Sequence, residues 1–323
     1  MIDKKIKFGV IGCGYIGKKH IDIIQNHEEA ELLAICDVFE NTSFNPIRYY
    51  TDIDIFLSKE PSVEVVCITS PNGLHEVHAL KCLNAGKHVV IEKPMALTKN
   101  ACENILYDSL KTSKKVFCVM QNRYSPISQW LKKIITEKIL GNIYIVQVNC
   151  FWNRDERYYN GNWHGKKDLD GGVLFTQFSH FVDMLYWLLG DISNIKSKFY
   201  NFKHQQNTEL DEDSGLIHFE FLQGGLGSIQ FTTAVWDKNL ESSITIIAEK
   251  GTIKVGGQYM EKLIECHIQN YDYPDIKPPT QNNHYLLIDN VINVLKEKSS
   301  IATNALEGLK VVEIIEKMYQ NKI

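Results

Sequence analysis

The eight cysteines contain no Cys-x-x-Cys pair; they stand singly at positions 13, 36, 67, 82, 102, 118, 150 and 266. Most sit inside apolar runs such as "VEVVCIT" and "KVFCVMQ", where they read as small buried hydrophobes in a reducing compartment. That argues against a disulfide framework and a zinc site, and no metal is expected. Neither sign of charge dominates. Lys and Arg number 35 against 39 Asp and Glu, a net charge of -4, so nothing favours a nucleic acid or an anionic membrane as partner. No apolar run is long enough to span a bilayer. The opening stretch "MIDKKIKFGVIGCGYIGKKH" has lysines and then an apolar core, as a signal peptide does. The core is short, broken by glycine and followed by more lysines, so it reads as part of the fold and a cytoplasmic location is expected. Fixed-period repeats and low-complexity linkers are also missing.

What is present is an ordinary globular composition, 44% apolar and 23% charged over 323 residues, enough for two domains with cores of their own. Residues 1–122 alternate short β-rich runs (6–12, 31–37, 63–69, 88–92 and 116–121) with helical patterns (15–26, 73–85 and 98–112). Runs without polar alternation suit strands buried on both faces, and the alternation points to a doubly wound α/β domain with a parallel sheet. Thr98 is the expected N-cap of the third helix, and Gly86 the stop of the second. After residue 122 the rhythm changes. A helix (126–138) and a strand (143–152) lead into a polar, aromatic loop (153–170) and a helix (175–189). Strand-like runs then follow one another to about residue 270, joined by short glycine turns, which predicts a mainly antiparallel sheet. Helices at 283–297 and 303–320 close the chain. The domains expected are therefore 1–122 and 123–323.

The first chemical signal is "GVIGCGYIGKKH", with Gly12, Gly14 and Gly17 in G-x-G-x-x-G spacing around Tyr15 and Ile16. The pattern follows a predicted strand and opens a predicted helix. The first glycine permits the turn, the second lets backbone approach a pyrophosphate, and the third lets helix and strand pack closely; the helix N-terminus then holds the phosphates. Asp37, at the end of the second strand, would accept both ribose hydroxyls and repel a 2′-phosphate, so NAD is expected rather than NADP. Thr69, Ser70 and Asn72, in "ITSPNGLHEVH", would lie at the carboxyl edge of the sheet, where such folds bind ligands, and His75 in the first turn of the next helix is also assigned to the cofactor. Glu92, Lys93 and Gln121 complete the residues assigned to the cofactor.

The run "HVVIEKPMA" ends a buried strand on two opposite charges and a proline. Lys93 would emerge at the same carboxyl edge. Pro94 fixes its own φ and restricts the residue before it, so the lysine is aimed rather than loose. Glu92 supplies a carboxylate to orient it or balance its charge.

Together "GCGYIG", "TSPNGLH", "EKPMALT" and "GGVLFTQFSHFVD" resemble the glucose–fructose oxidoreductase, inositol dehydrogenase and rhizopine catabolism group, the Gfo/Idh/MocA family, over nearly the whole chain. The resemblance implies an N-terminal Rossmann domain, a C-terminal α/β domain with a large open sheet, and hydride transfer between nicotinamide and a sugar or polyol carbon. It implies that Lys93 is catalytic or binds substrate, that the Lys93–Pro94 bond is cis, and that His180 is the catalytic histidine. Thr176, His180 and Asp183 recur at i, i+4 and i+7, so one helix face is expected to carry all three into a cleft. Polyol dehydrogenases of the group carry Asp four residues before that histidine, where this chain has Thr176. The departure turns the reading toward enzymes that oxidise C3 of nucleotide-linked sugars.

Three of the four arginines, Arg123, Arg154 and Arg157, fall close together, and arginine suits bidentate contacts to phosphate or carboxylate. The loop "FWNRDERYYNGNWHGKKDLDGG" adds Trp152, Tyr158, Tyr159 and Trp163 as flat surfaces for a sugar or base, and Tyr124 and Gln177 are assigned to the substrate as well. A UDP-linked N-acetylhexosamine or its uronic acid, oxidised to the 3-keto sugar for amino-sugar and polysaccharide biosynthesis, is the substrate expected. A free sugar or inositol dehydrogenase, a ketoreductase, NAD-dependent glycoside cleavage and a non-catalytic NAD-binding sugar sensor stay open. An open antiparallel sheet needs a cover, so a homodimer or homotetramer through that sheet is expected.

Overall fold

The structure is a computed structural model that describes residues 4–39, 44, 46–161, 163–277, 279 and 281–323. The chain divides into two compact units, Met1–Met120 with Gln281–Val312, and Gln121–Thr280 with Glu313–Ile323. Two contiguous pieces meeting at residue 122 do not account for the stretch 281–312, which packs with the first unit.

In the first unit the chain runs β1 (Ile6–Ile11), α1 (Tyr15–Asn26), β2 (Ala30–Cys36), β3 (Arg48–Tyr50), α2 (Ile53–Lys59), β4 (Val65–Ile68), α3 (His75–Asn84), β5 (His88–Ile91), α4 (Lys99–Thr112) and β6 (Val116–Cys118). The six strands pair in parallel in the order β3-β2-β1-β4-β5-β6. Every residue of β4 and β6 is buried, as uninterrupted apolar runs require when helices cover both faces. Local chemistry sets the helix ends. Thr98 Oγ1 accepts the Ala101 N–H at 3.1 Å, and Asp52 Oδ1 accepts from Asp54 and Ile55 at 2.8 and 2.9 Å. Gly86, at φ +75°, follows the end of α3. The strand order reverses between β1 and β4, and the turns after these two strands flank the crevice where such sheets bind ligands.

β3 and α2 fall where no element was expected. Part of that stretch, residues 40–43 and 45, lies outside the described residues. "RYY" has too little apolar content to announce a strand; its backbone pairing with β2 makes it one.

The second unit holds α5 (Pro126–Thr136), β7 (Ile143–Phe151), four helices, and β8 (Ile192–Tyr200), β9 (Ser214–Phe221), β10 (Leu226–Thr232), β11 (Glu241–Ala248), β12 (Gly251–Gly256) and β13 (Lys262–Ile268). Its sheet has the order β13-β12-β11-β7-β10-β9-β8, antiparallel except where β10 runs parallel to β7. Strict alternation in β9, where every second residue is buried, gives the sheet one core face and one outer face.

The four helices are α6 (Glu156–Tyr159), α7 (Lys167–Asp170), α8 (Val173–Thr176) and α9 (Ser179–Leu189). The continuous helix expected over 175–189 is therefore two pieces. Phe178 breaks it: its N–H reaches back to the Val173 carbonyl at 3.2 Å, and its ring is buried against Trp152 and Phe231. Thr176 thus stands on a separate turn from His180 and Asp183. The last two helices are α10 (Asn283–Leu295) and α11 (Ala305–Gln320).

Candidate active site

The turn after β1 has the geometry of a phosphate cradle. Gly12 sits at φ +90°, and a Cβ there would lie 2.6 Å from the Ser70 nitrogen; a Cβ on Gly17 would lie 1.9 Å from the Gly12 oxygen. Both positions exclude side chains. At Gly14 a Cβ would meet nothing within 4 Å, so this edge of the turn is open. Gly14 is the N-cap of α1 and no side chain caps the helix, which leaves its first N–H groups for an anion. Asp37 Oδ2 accepts the Cys13 N–H at 2.6 Å, so the carboxylate is held beside the turn. Thr69 braces the same turn, its hydroxyl donating to the Gly12 carbonyl at 2.5 Å. Tyr15 is 92% exposed. These residues fit a dinucleotide: a turn too tight for side chains, an uncapped helix end and a carboxylate for the ribose.

Several residues assigned to the cofactor sit behind that edge. Ser70 Oγ pairs with His78 Nδ1 at 2.9 Å, and Asn72 is buried. His75 is 1% exposed, with Nδ1 2.7 Å from the Pro94 oxygen and Nε2 2.8 Å from the Ser70 oxygen. It ties two turns together and its ring is not offered to a ligand. Desolvation pushes its pKa down, against the pull of the two carbonyls.

Lys93 follows β5, half-buried, and the Lys93–Pro94 peptide is cis. Glu92 beneath it is 5% exposed; His20 Nε2 lies 2.9 Å from its Oε1. Burial alone would raise the Glu92 pKa, but the hydrogen bond and charge of His20, with the charges of His284 and Lys93, outweigh it and hold the carboxyl at about 2. Burial pushes His284 itself down to about 3, so of the neighbours that lower the Glu92 pKa, His20 and Lys93 remain as the ones that act on it.

In the second unit, the Gln121 amide nitrogen lies 3.1 Å from His180 Nε2. The amide N–H donates when that ring nitrogen is unprotonated. Gln121, assigned above to the cofactor, thus touches the histidine. Thr176 is buried, its hydroxyl donating to Asp170 Oδ1 at 2.5 Å. Gln177 Nε2 donates to the Tyr158 hydroxyl at 3.0 Å.

The arginines separate. Arg123, 2% exposed, grips Asp183 with Nε 3.1 Å from both carboxylate oxygens and Nη2 2.6 Å from Oδ1, and its guanidinium lies over Trp187. It belongs to the core rather than to a substrate wall, and Asp183 goes with it: the helix face expected to line a cleft turns this carboxylate inward. Arg157 is exposed and paired with Asp155 two residues back. Arg154 lies over both Trp152 (4.8 Å) and Tyr158 (5.1 Å), and among the described residues its buried Nε has no hydrogen-bond partner. Tyr158 stacks on His164 at 4.1 Å, and Trp163 leans on the same imidazole at 3.9 Å. Tyr159 is 4% exposed, its hydroxyl 3.4 Å from Thr233 Oγ1, so it packs inward rather than offering a flat surface. Tyr124 is half-buried beside the Gln121–Arg123 turn. Among the described residues no cluster of histidine, cysteine and carboxylate groups could hold a metal, and no helix is long and apolar enough to cross a membrane.

Residues 6–121 match the oxidoreductase family with the NAD-binding Rossmann fold, and 132–322 match that family's C-terminal alpha/beta domain. The chain belongs to this family, Gfo/Idh/MocA, and is an NAD-dependent oxidoreductase. Among solved structures it is similar to the WlbA dehydrogenase of Chromobacterium violaceum in complex with NADH and UDP-GlcNAcA, at a TM-score of 0.93 and 33% identity, covering 99% of this chain and 94% of that one. The Bordetella pertussis WlbA dehydrogenase, in complex with the same two molecules, gives 0.89 and 33%, covering 98% and 96%. Among curated proteins, the D-glucoside 3-dehydrogenase of Escherichia coli K12 is 24% identical over 99% of this chain and 96% of its own.

Proposed function

We propose that this enzyme oxidises a secondary alcohol of a nucleotide-linked sugar, C3 of a UDP-N-acetylhexosamine or of its uronic acid, to the ketone. The observation that carries the reading is the full-length likeness, at 33% identity, to two dehydrogenases seen with NADH and UDP-GlcNAcA. Arg154 supports it. A guanidinium that lies over both Trp152 and Tyr158 is held in place, and its planar fork suits a carboxylate or pyrophosphate.

NAD supplies the hydride acceptor, held by the Gly12–Gly14–Gly17 turn, the N-terminus of α1 and Asp37. Lys93 or His180 takes the proton of the hydroxyl, and the other hydrogen-bonds the oxygen as negative charge develops there. Gln121 keeps the imidazole of His180 in register, and Glu92 orients Lys93. A 3-keto sugar is a substrate that a transaminating enzyme can take up, which supports a role in the making of an amino sugar. The outer face of the seven-stranded sheet is assigned to self-association.

The test follows NADH absorbance with UDP-GlcNAcA, UDP-GlcNAc, dTDP- and GDP-sugars, free inositols and simple glucosides. NADH formation with the UDP sugars, and a higher melting temperature in their presence, are expected. Turnover of inositol or a free glucoside alone would overturn the nucleotide reading, and sugar binding without NADH formation would make the protein a sensor.

A further inference from the structure

Beneath Lys93 lies a buried polar layer drawn from three separate parts of the first unit. Glu92 ends the β5 strand; its Oε1 receives His20 Nε2 at 2.9 Å and its Oε2 accepts the backbone N–H of Lys93 at 3.2 Å. His20 comes from α1 and is 1% exposed. His284, 3% exposed, comes from the first turn of α10, its Nε2 3.9 Å from the same Oε1 and its ring edge-on to His20 at 6.0 Å. Among the described residues neither His20 Nδ1 nor His284 Nε2 has a hydrogen-bond partner. A proton on His20 Nδ1 would therefore be buried without an acceptor, so the ring carries its proton on Nε2, facing the carboxylate.

A carboxylate this deep stays ionised only where donors hold it. The groups around Glu92 are Lys19 and His20 on α1, Cys67 on β4, His75 on α3, His284 on α10 and Lys93 beside it in sequence. Of these, His20 donates the 2.9 Å hydrogen bond.

We propose that His20 is a positioning residue for Lys93: by donating to Glu92 it keeps that carboxylate ionised, and the carboxylate holds the Lys93 backbone N–H and faces its ammonium charge. His284 closes the pocket against water. The proposal deepens the reading above, since it rests on Lys93 taking part in the reaction.

Removing the donor with His20→Leu leaves a buried carboxylate that takes up a proton in the working pH range. The kcat profile then gains an acid limb that wild type lacks, with kcat at pH 6 down about tenfold. His20→Gln, whose amide N–H can stand in for Nε2–H, restores the profile to within about twofold of wild type. A purely structural histidine would lower the melting temperature without adding a titration. In the Glu92→Gln background the His20→Leu change adds no new limb.

Because the substrate is itself a proposal, the deciding measurement uses none. Trace acylation of the Lys93 amine, read by peptide mass in NAD-free protein at pH 7, is several-fold faster in His20→Leu than in wild type or His20→Gln, since loss of the neighbouring negative charge favours the reactive neutral amine. Equal labelling in all three overturns the proposal whatever the enzyme oxidises. Should His20→Leu fail to fold, wild-type protein decides: ¹⁵N spectra with the His20 proton on Nδ1, or a Glu92 carboxyl titrating near pH 4 or above, would equally overturn it.

Discussion

The hydroxyl of Thr176 donates to the Asp170 carboxylate at 2.5 Å and lies 3.0 Å from the Asp170 carbonyl oxygen. The position that carries a carboxylate in polyol dehydrogenases of the family is thus tied to another carboxylate, six residues earlier. Asp170 is fully buried and also accepts the Gly165 N–H at 2.8 Å and the Gly172 N–H at 3.4 Å, so it pins the glycine turn ahead of the His180 helix. Asp170→Asn replaces an acceptor with a donor against one of these N–H groups. A loss of about 2 kcal/mol or more is expected by urea denaturation, from the magnitude of hydrogen bonds to charged groups. An unchanged midpoint and slope would mean that the turn stands without it.

Cofactor preference is expected to depend on Asp37, whose Oδ2 is fixed by the Cys13 N–H. Asp37→Ser removes the charge that repels a 2′-phosphate and the acceptor for the ribose hydroxyls. The ratio of kcat/KM for NAD over NADP should fall about 10- to 100-fold, the worth of one charged hydrogen bond. An unchanged ratio would refute the ribose assignment.

Lys93→Met keeps the length of the side chain and removes its nitrogen. A drop in kcat of roughly 10²–10⁴-fold is expected, a general acid–base contribution, with NAD affinity by fluorescence titration nearly unchanged. Wild-type turnover would take Lys93 out of the reaction.

Glu212 gives the fold a pH dependence. It is 3% exposed, accepts the Val173 N–H at 2.9 Å and the Tyr319 hydroxyl at 2.5 Å, and burial raises its pKa from 4.5 to about 7. A carboxyl whose pKa is higher folded than unfolded binds its proton more tightly in the folded state. Its contribution is therefore complete below pH 4.5 and lost as pH rises through 7, an effect of about 3 kcal/mol. Glu212→Gln, which mimics the protonated acid, should flatten stability against pH over that window. Parallel curves for the two proteins would assign the slope to other groups.

The outer face of the seven-stranded sheet carries Ile247, Ile145 and Leu226, 41%, 47% and 57% exposed and adjacent across β11, β7 and β10. An apolar row of this kind suits pairing with a second copy. Sedimentation should give a dimer or larger species, and Ile145→Glu a smaller one with its melting transition intact. A wild-type monomer would sink the assignment.

Legibility in the sequence was uneven. The glycine turn, Asp37, Thr98 and the Glu92–Lys93–Pro94 run announce themselves because each is a local requirement of backbone conformation or chemistry. Arg123 and Arg154 look alike as letters, yet one is locked in a buried ion pair and the other lies between two aromatic rings.

The sequence by itself determined the class of fold, the cofactor and the family, through strand and helix periodicity and motifs whose residues are close along the chain. Only the tertiary structure decided that 281–312 returns to the first unit, that β3 completes its sheet, and that His20 and His284 meet Glu92. Those facts depend on burial and pairing between residues tens to hundreds of positions apart, and no local pattern carries the energy of a contact whose partner lies that far away.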